Sequence, residues 1–345
     1  GEIFTYRLKQ WPVDLKWKAV VSEYCPPLSF TTVQSNGYFY MWNHSYQFLP
    51  KEQILTFEEI SRLAGIFVNL GVNKLRITGG EPLLRTDLHQ LISMLSGIPG
   101  TADLTLTTNA YLLPQQAQGL KDAGLNRVTV SLDTLDDDIF KQMNGRGFSI
   151  QRVLEGISKA SEVELSPIKI NAVVQKGVND HTIVELARHF KGTGHVVRFI
   201  EYMDVVNRNG WKWNQVVPAS EVIRRISAEM PLEPFDANYH GEVAQRYRYL
   251  DGEGEIGVIT SVTQPFCGDC TRARLSTDGK IYTCLFAAGG LDLRNPLRDG
   301  ANDEDLRRLI TNVWSNRVDR YSEERSELGP EQNNRQKVEM YHIGG

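Results

Sequence analysis

Cys267, Cys270 and Cys284 stand within the stretch PFCGDCTRARLSTDGKIYTC and are three of the four cysteines in the chain. Two thiols separated by two residues, with a third following after thirteen more, form a metal-binding pattern rather than a disulfide scaffold. Zinc and saturated iron–sulfur sites usually take four protein ligands. Three cysteines can instead hold three irons of a 4Fe–4S cluster and leave the last iron open, a Lewis acid able to take a substrate atom. The same spacing fits a structural zinc completed by a distant histidine. Arg272 and Arg274 lie between the thiols at alternate positions. On a strand both face one way, and paired guanidinium groups there suit phosphate.

Further polar groups collect where strands should end. Gly79, Gly80, Glu81 and Pro82 (GGEP) follow the strand pattern KLRIT. Paired glycines let a ligand approach the backbone, and Glu81 can take an amino group, although alone the motif is weak and reads first as a tight turn. Thr107, Thr108 and Asn109 close LTLTT, and Ser131 and Asp133 close RVTVSLD. Strand-end Ser, Thr and Asn also cap turns. Lys169 sits inside the apolar run IKINAVV, where it either snorkels to an edge or faces an anion in a cavity. Met203 reads by itself as a core residue more often than as a ligand contact. The closing Gly344 and Gly345 fit a frayed end.

These groups need a scaffold, and the sequence supplies a βα rhythm. Helical spacing predicts helices over 56–70, 87–95, 114–122, 136–142, 150–163 and 182–190. Thr56 followed by Glu59 reads as a capping box on the first of them. Strands are predicted at 74–78, 104–108, 127–133, 168–174 and 196–203, with a sixth before Leu55. Alternating strands and helices imply a parallel sheet, open or closed, with chemistry at the strand C-termini. After Met203 the rhythm breaks. A helix is expected over 221–230, strands over 246–250 and 256–262, a hairpin turning at Asp278-Gly279, and a helix over 303–314.

The chain has 345 residues, a formal net charge of −4, and 23% charged residues. This mild acidity argues against broad binding to nucleic acid or an anionic membrane surface. No apolar run reaches the length of a membrane helix. Clustered thiols without a disulfide framework point to a reducing compartment, the cytoplasm. The chain begins with Gly, so a removed targeting segment stays open.

From about Tyr46 to Gly345 the chain resembles the GTP 3′,8-cyclases of molybdenum cofactor biosynthesis, a family of radical S-adenosylmethionine (SAM) enzymes. The likeness lies in LRITGGEPLLR, LTTNAYLL, VSLDTLDDDIF, INAVVQKGVND, RFIEYMDV, GVITSVTQPFCGDCTRARLSTDGKIYTCLF, DRYSEER and the closing GG. It implies an α/β fold: an incomplete (βα)6 TIM-type barrel over 46–215, then a C-terminal extension over 216–345 with the cluster site. Residues 1–45 stand apart as a divergent segment. By position the resemblance implies GTP contacts at Arg76, Thr107, Lys169, Arg272 and Arg274, and SAM contacts at Gly80, Ser131 and Met203. Cys267, Cys270 and Cys284 would hold a 4Fe–4S cluster whose open iron meets GTP. The implied reaction begins with reductive cleavage of SAM. The 5′-deoxyadenosyl radical takes the ribose 3′ hydrogen, the ribose carbon attacks guanine C8, and 3′,8-cyclo-7,8-dihydroguanosine 5′-triphosphate results. Implied partners are GTP, SAM, an electron donor and a downstream cyclic pyranopterin monophosphate synthase; a homodimer is also admitted.

One departure stands out. The family carries CxxxCxxC after its first strand, and those thiolates hold the second 4Fe–4S cluster, which cleaves SAM. Here VVSEYCPPLSFTTVQSNGYFYMWNHSYQF contains Cys25 alone, and Glu23 and His44 do not restore the spacing. A non-catalytic GTP- and cluster-binding homologue, or a zinc-stabilised α/β protein, are the alternatives.

Overall fold

The computed structural model describes the backbone of four N-terminal strands and, from Lys51 onward, all residues except 146, 206–210, 240, 328–336, 339 and 344–345. Two compact units result, Gly1–Leu55 and Thr56–Gly345.

The first unit is an antiparallel meander: β1 (Ile3–Phe4), β2 (Ala19–Cys25), β3 (Ser29–Gln34) and β4 (Trp42–Gln47), in the order β1-β2-β3-β4. Cys25 ends β2, opposite Ser29. The sixth parallel strand expected in this region is not formed by these four, each of which pairs with its sequence neighbour.

The second unit is built on five parallel strands: β5 (Lys74–Ile77), β6 (Asp103–Thr108), β7 (Arg127–Ser131), β8 (Lys169–Val174) and β9 (Val196–Glu201). The chain then makes β10 (Leu232–Phe235), β11 (Gln245–Tyr249) and β12 (Glu255–Ile259). Strand β12 pairs parallel to β9 and supplies the sixth parallel strand from the other side of the break; β11 and β10 extend the sheet antiparallel. Its β5 edge stays open, so the barrel is incomplete.

Helices α1 (Phe57–Asn69), α2 (Leu88–Ser96), α3 (Leu113–Asp122), α4 (Asp137–Asn144), α5 (Ile150–Glu162), α6 (Ile183–Phe190) and α7 (Ala219–Ser227) fill the connections. The Thr56 capping box forms: its amide donates to Glu59 Oε2 at 2.8 Å, and the Glu59 amide donates back to Thr56 Oγ1 at 3.2 Å. Helix α5 buries Ile150, Val153, Ile157 and Ala160 at helical spacing. It packs on α3 at Gly156, where a Cβ would come within 2.7 Å of the Ala110 carbonyl oxygen.

The strands sort their side chains by the period of two. Leu104, Leu106, Val128, Val130, Ile170 and Ala172 join the helices in one apolar core. Each of the leucine, valine and isoleucine side chains among them contributes roughly 1.5–3 kcal/mol by burial. The alternate positions are mostly polar, Thr105, Thr107, Arg127, Thr129, Lys169, Asn171 and Arg198 among them, and form the inner face of the sheet.

The extension holds a small sheet, β13 (Arg274–Leu275), β14 (Lys280–Tyr282) and β15 (Leu291–Asp292), followed by α8 (Arg294–Arg298), α9 (Asp303–Ser315), α10 (Tyr321–Glu327) and α11 (Met340–Ile343). The predicted hairpin joins β13 to β14, with Gly279 at φ 82°. Ion pairs Arg62–Asp303 at 2.7 Å and Arg298–Glu59 at 2.6 Å tie the extension to α1.

Candidate functional site

The inner face of the sheet is a column of cations. Arg76 of β5 lies in register with Thr105, and Thr105 with Arg127. Thr107 lies beside Thr129, and Thr129 beside Lys169; Ser131 lies beside Asn171, and Asn171 beside Arg198. Glycine at 257 leaves room for this column, since a Cβ there would sit 3.2 Å from Arg198 Cγ.

Arg127 is answered by Asp103 at 2.6 Å, which also takes Lys74 at 3.3 Å. Among the described residues Arg76, Lys169 and Arg198 have no ion pair. Burial and the neighbouring charges of Arg198, Arg127 and Lys74 push the Lys169 ammonium down to about 8. Burial, Arg76 and Arg127 push Arg198 down to about 9. The hydroxyls of Thr105, Thr107 and Thr129, Nη1 of Arg127 and Nη2 of Arg198 are buried without a hydrogen-bond partner among the described residues. Buried polar groups are ordinarily satisfied, so this face fits an anionic, hydrogen-bonding ligand. At the N-terminal ends of the strands it opens into a cavity of about 450 Å³, lined by Lys74, Arg127, Lys169 and Tyr239 among others.

Arg272 and Arg274 belong to the same electrostatic field. Burial depresses Arg76, and Arg127 and Arg272 add to the effect; burial and Arg272 push Arg274 down to about 10. The expectation that both arginines share a strand is corrected: β13 starts at Arg274, because Cys267–Asp269 form a short 3-10 turn closed by the Cys270 amide on the Cys267 carbonyl at 3.3 Å. Arg272 instead lies over the Phe266 ring at 5.4 Å.

The three thiols are free and half-buried. Burial works against ionisation of Cys270, yet the charge and hydrogen bonds of Arg272, with Arg274, hold its thiol below the usual range. Burial, joined by Asp319 and Cys267, pushes Cys284 up, while the Phe286 amide donates to its sulfur at 3.4 Å. Cys270 and Cys284 both act on Arg274. Among the described residues no three His, Cys, Asp or Glu side chains gather around a point as ligands of a metal ion. A 4Fe–4S cluster takes each thiolate on a different iron and so needs a wider triangle than a single ion does.

Gly80, Ser131 and Met203 stand at or just beyond the C-terminal ends of β5, β7 and β9. Lys169 opens β8 at the opposite end, so the predicted residues span the length of the barrel rather than one rim. Gly80 has open space where a Cβ would point, and Ser131 is exposed. Glu81 ties its loop to β6, accepting from Thr108 Oγ1 at 2.6 Å, the Asn109 amide at 2.8 Å and the Leu83 amide at 3.1 Å. Asp133, pushed by burial up to about 6, accepts from the Val173 amide at 2.8 Å. Gly344 and Gly345 lie outside the described residues, and of Cys25 the backbone alone is described. Arg127 and Arg198 were missed from sequence. The signal for Arg127 was its place on the polar alternation of RVTVS; Arg198 stands alone in the apolar run VVRFIE, where no alternation marks it.

Comparison with known proteins decides the family. The Radical SAM superfamily profile matches residues 24–190 and Molybdenum Cofactor Synthesis C matches 195–323. GTP 3′,8-cyclase of Acidothermus cellulolyticus is 52% identical over 286 residues, 82% of this chain and 79% of that protein. The enzymes of that name from Xanthomonas campestris pv. campestris and Staphylococcus epidermidis are 50% and 44% identical, over 86% and 88% of this chain and 86% and 90% of theirs. This chain belongs to the GTP 3′,8-cyclase family. Among solved structures it is similar to native anSMEcpe with bound AdoMet, at a TM-score of 0.47 and 14% identity, covering 76% of this chain and 74% of that one. Membership of the cyclase family places the chain among radical SAM proteins of molybdenum cofactor biosynthesis. No helix among the described residues is long and apolar enough to cross a membrane.

Proposed function

We propose that this chain binds GTP along the inner face of its open barrel, as a member of the cyclase family of molybdenum cofactor biosynthesis. Arg76, Thr107 and Lys169 contact the nucleotide from the sheet, and Arg272 and Arg274 contact it from the extension. What supports the reading is one observation: cations without an ion pair and buried hydroxyls without a hydrogen-bond partner among the described residues share a single face of the sheet, next to the arginines between the cysteines. A triphosphate supplies the negative charge and acceptors which that face lacks. Gly80, Ser131 and Met203, at the strand C-termini, form the side on which SAM would bind.

The C-terminal residues fit a 4Fe–4S cluster in kind: three free thiols, with Arg272 and Arg274 beside Cys270 to offset thiolate charge there. Cys267, Cys270 and Cys284 would hold it, and its open iron would supply a Lewis acid toward the base of GTP. Around it the chain's own arginines orient the phosphates and exclude water from the buried face. The residues do not fit the second, SAM-cleaving cluster. Cys25 is the sole cysteine ahead of Cys267, and one thiolate cannot replace three. That count favours a second reading, in which this chain binds GTP and one cluster without generating a radical.

Calorimetric titration of the anaerobically reconstituted protein with GTP tests the site. Arg272→Ala, Arg274→Ala and Lys169→Ala should each weaken binding by about 1–3 kcal/mol, the scale of a hydrogen bond to a charged group. Unchanged affinity in all three overturns the nucleotide assignment. Stoichiometric zinc in place of iron and sulfide overturns the cluster.

A further inference from the structure

Asp204 comes one residue after Met203, beyond the end of β9, and is 8% exposed. Its carboxylate collects three side chains from the last part of the chain. Tyr321 Oη of α10 donates to Oδ2 at 2.5 Å, Lys337 Nζ donates to the same oxygen at 2.5 Å, and Arg325 of α10 forms an ion pair with Oδ1. Lys337 also donates to the Asp204 carbonyl at 3.1 Å, and Arg325 to the Ser261 carbonyl at 2.5 Å. Tyr321, Arg325 and Lys337 are 7%, 0% and 8% exposed.

The same three side chains grip Phe286. Tyr321 stacks on its ring at 4.6 Å, and Arg325 and Lys337 each lie 5.4 Å from its centroid. The Phe286 amide donates to Cys284 Sγ, and the Val338 amide donates to the Ala287 carbonyl at 2.9 Å. Lys337 is also close enough to Cys284 to feel its charge. A continuous path of buried contacts therefore runs from the Met203 end of β9, through Asp204 and the C-terminal side chains, to Cys284. Buried ion pairs add little net stability against an apolar replacement, yet losing one partner is costly. Two cations on one buried carboxylate are thus a poor device for stability and a good one for registry.

We propose that Asp204 is a positioning residue for the cysteine site. It fixes α10 and Lys337 against the end of β9, and through Phe286 it holds the Cys284 edge in register with the strand end that carries Met203. Its effect on nucleotide binding rests on the GTP reading above; its hold on the C-terminal helices does not.

The test combines hydrogen–deuterium exchange and GTP titration on the full chain. In Asp204→Asn, exchange in α10 and α11 should accelerate at least tenfold while α1 and α5 stay unchanged, and GTP should bind at least fivefold more weakly. Asp204→Glu keeps a carboxylate and should recover half or more of both effects. Unchanged exchange in α10 overturns the proposal. So does faster exchange with unchanged GTP affinity, which would mark a merely structural contact. If Asp204→Asn does not fold, Tyr321→Phe decides: about threefold faster exchange in α10 with weaker GTP binding supports the proposal, and no change overturns it. A wild-type chain that fails to bind GTP overturns the nucleotide reading instead, and iron bound per chain after anaerobic reconstitution then decides the role of Asp204: a loss in Asp204→Asn that Asp204→Glu recovers supports it, and no change overturns it.

Discussion

Lys169 carries a charge that the folded chain resists, since burial and three neighbouring cations lower its pKa from 10.5 to about 8. The folded state therefore holds fewer protons than the unfolded state between these values. The resulting penalty is full below pH 8 and fades as pH rises toward 10.5. For an anionic ligand the sign reverses. A triphosphate needs the ammonium, and above pH 8 the free protein must first take up a proton to supply it. GTP affinity is thus expected to fall between pH 8 and 9.5, by at most about tenfold per pH unit, with proton uptake measurable by calorimetry in buffers of different ionisation enthalpy. Lys169→Arg should flatten that profile; an unchanged slope would remove Lys169 from the binding site. At this scale the cysteines and the arginines between them stand out by type and spacing, and Lys169 by its place in an apolar run, although the sequence left open whether it faces an edge or a cavity. Arg127 and Arg198 do not stand out, because a lone arginine in a strand reads as an edge residue until its neighbours in the sheet are known.

Glu201 shows how one side chain can set the order of strands. It is 3% exposed and accepts from the Val262 amide at 2.8 Å, the Thr263 amide at 2.8 Å, Thr263 Oγ1 at 2.5 Å and the Ala219 amide at 3.0 Å. The carboxylate thereby joins the end of β9 to the turn after β12 and to the start of α7. Glu201→Ala would leave the buried amides of Val262 and Ala219 unsatisfied, at about 1–3 kcal/mol each before relaxation, whereas Thr263 is exposed and its amide can turn to water. A loss of at least about 2 kcal/mol in urea unfolding is expected, with Glu201→Gln intermediate. A loss below 1 kcal/mol would show that water or repacking satisfies these amides. Helices and the hairpin were legible because their signals are local: the Thr56–Glu59 box, the Asp278-Gly279 turn, apolar spacing along α5. The sixth parallel strand was misplaced for the opposite reason. EIGVI reads as a strand, but its partner β9 is reached only after α7, β10 and β11, and no local signal records such a crossover.

The whole molecule has a net charge of −4 yet keeps Arg198 buried and Lys169 and Arg274 half-buried. Acidic exteriors repel nucleotides at a distance, so affinity must come from the desolvated interior rather than from steering. The barrel and the extension both carry their family's sequence, and the profile matches cover 24–190 and 195–323. The cysteines do not follow this distribution: three lie in the extension and one, Cys25, precedes it. SAM cleavage requires an iron that both binds the cofactor and passes it an electron. The cofactor carries that chemistry and the protein can only position and tune it, so tighter binding elsewhere cannot compensate for missing thiolates. The unaltered chain is therefore expected to form little or no 5′-deoxyadenosine from SAM under strong reductant, while still binding GTP. Replacing about the first 45 residues with a family segment that contains CxxxCxxC should restore 5′-deoxyadenosine and the cyclised GTP product together. Anaerobic chromatography of both products, for both versions, makes the comparison. Robust turnover by the unaltered chain would mean that other side chains ligate the cleaving cluster, and would end the argument from cysteine number.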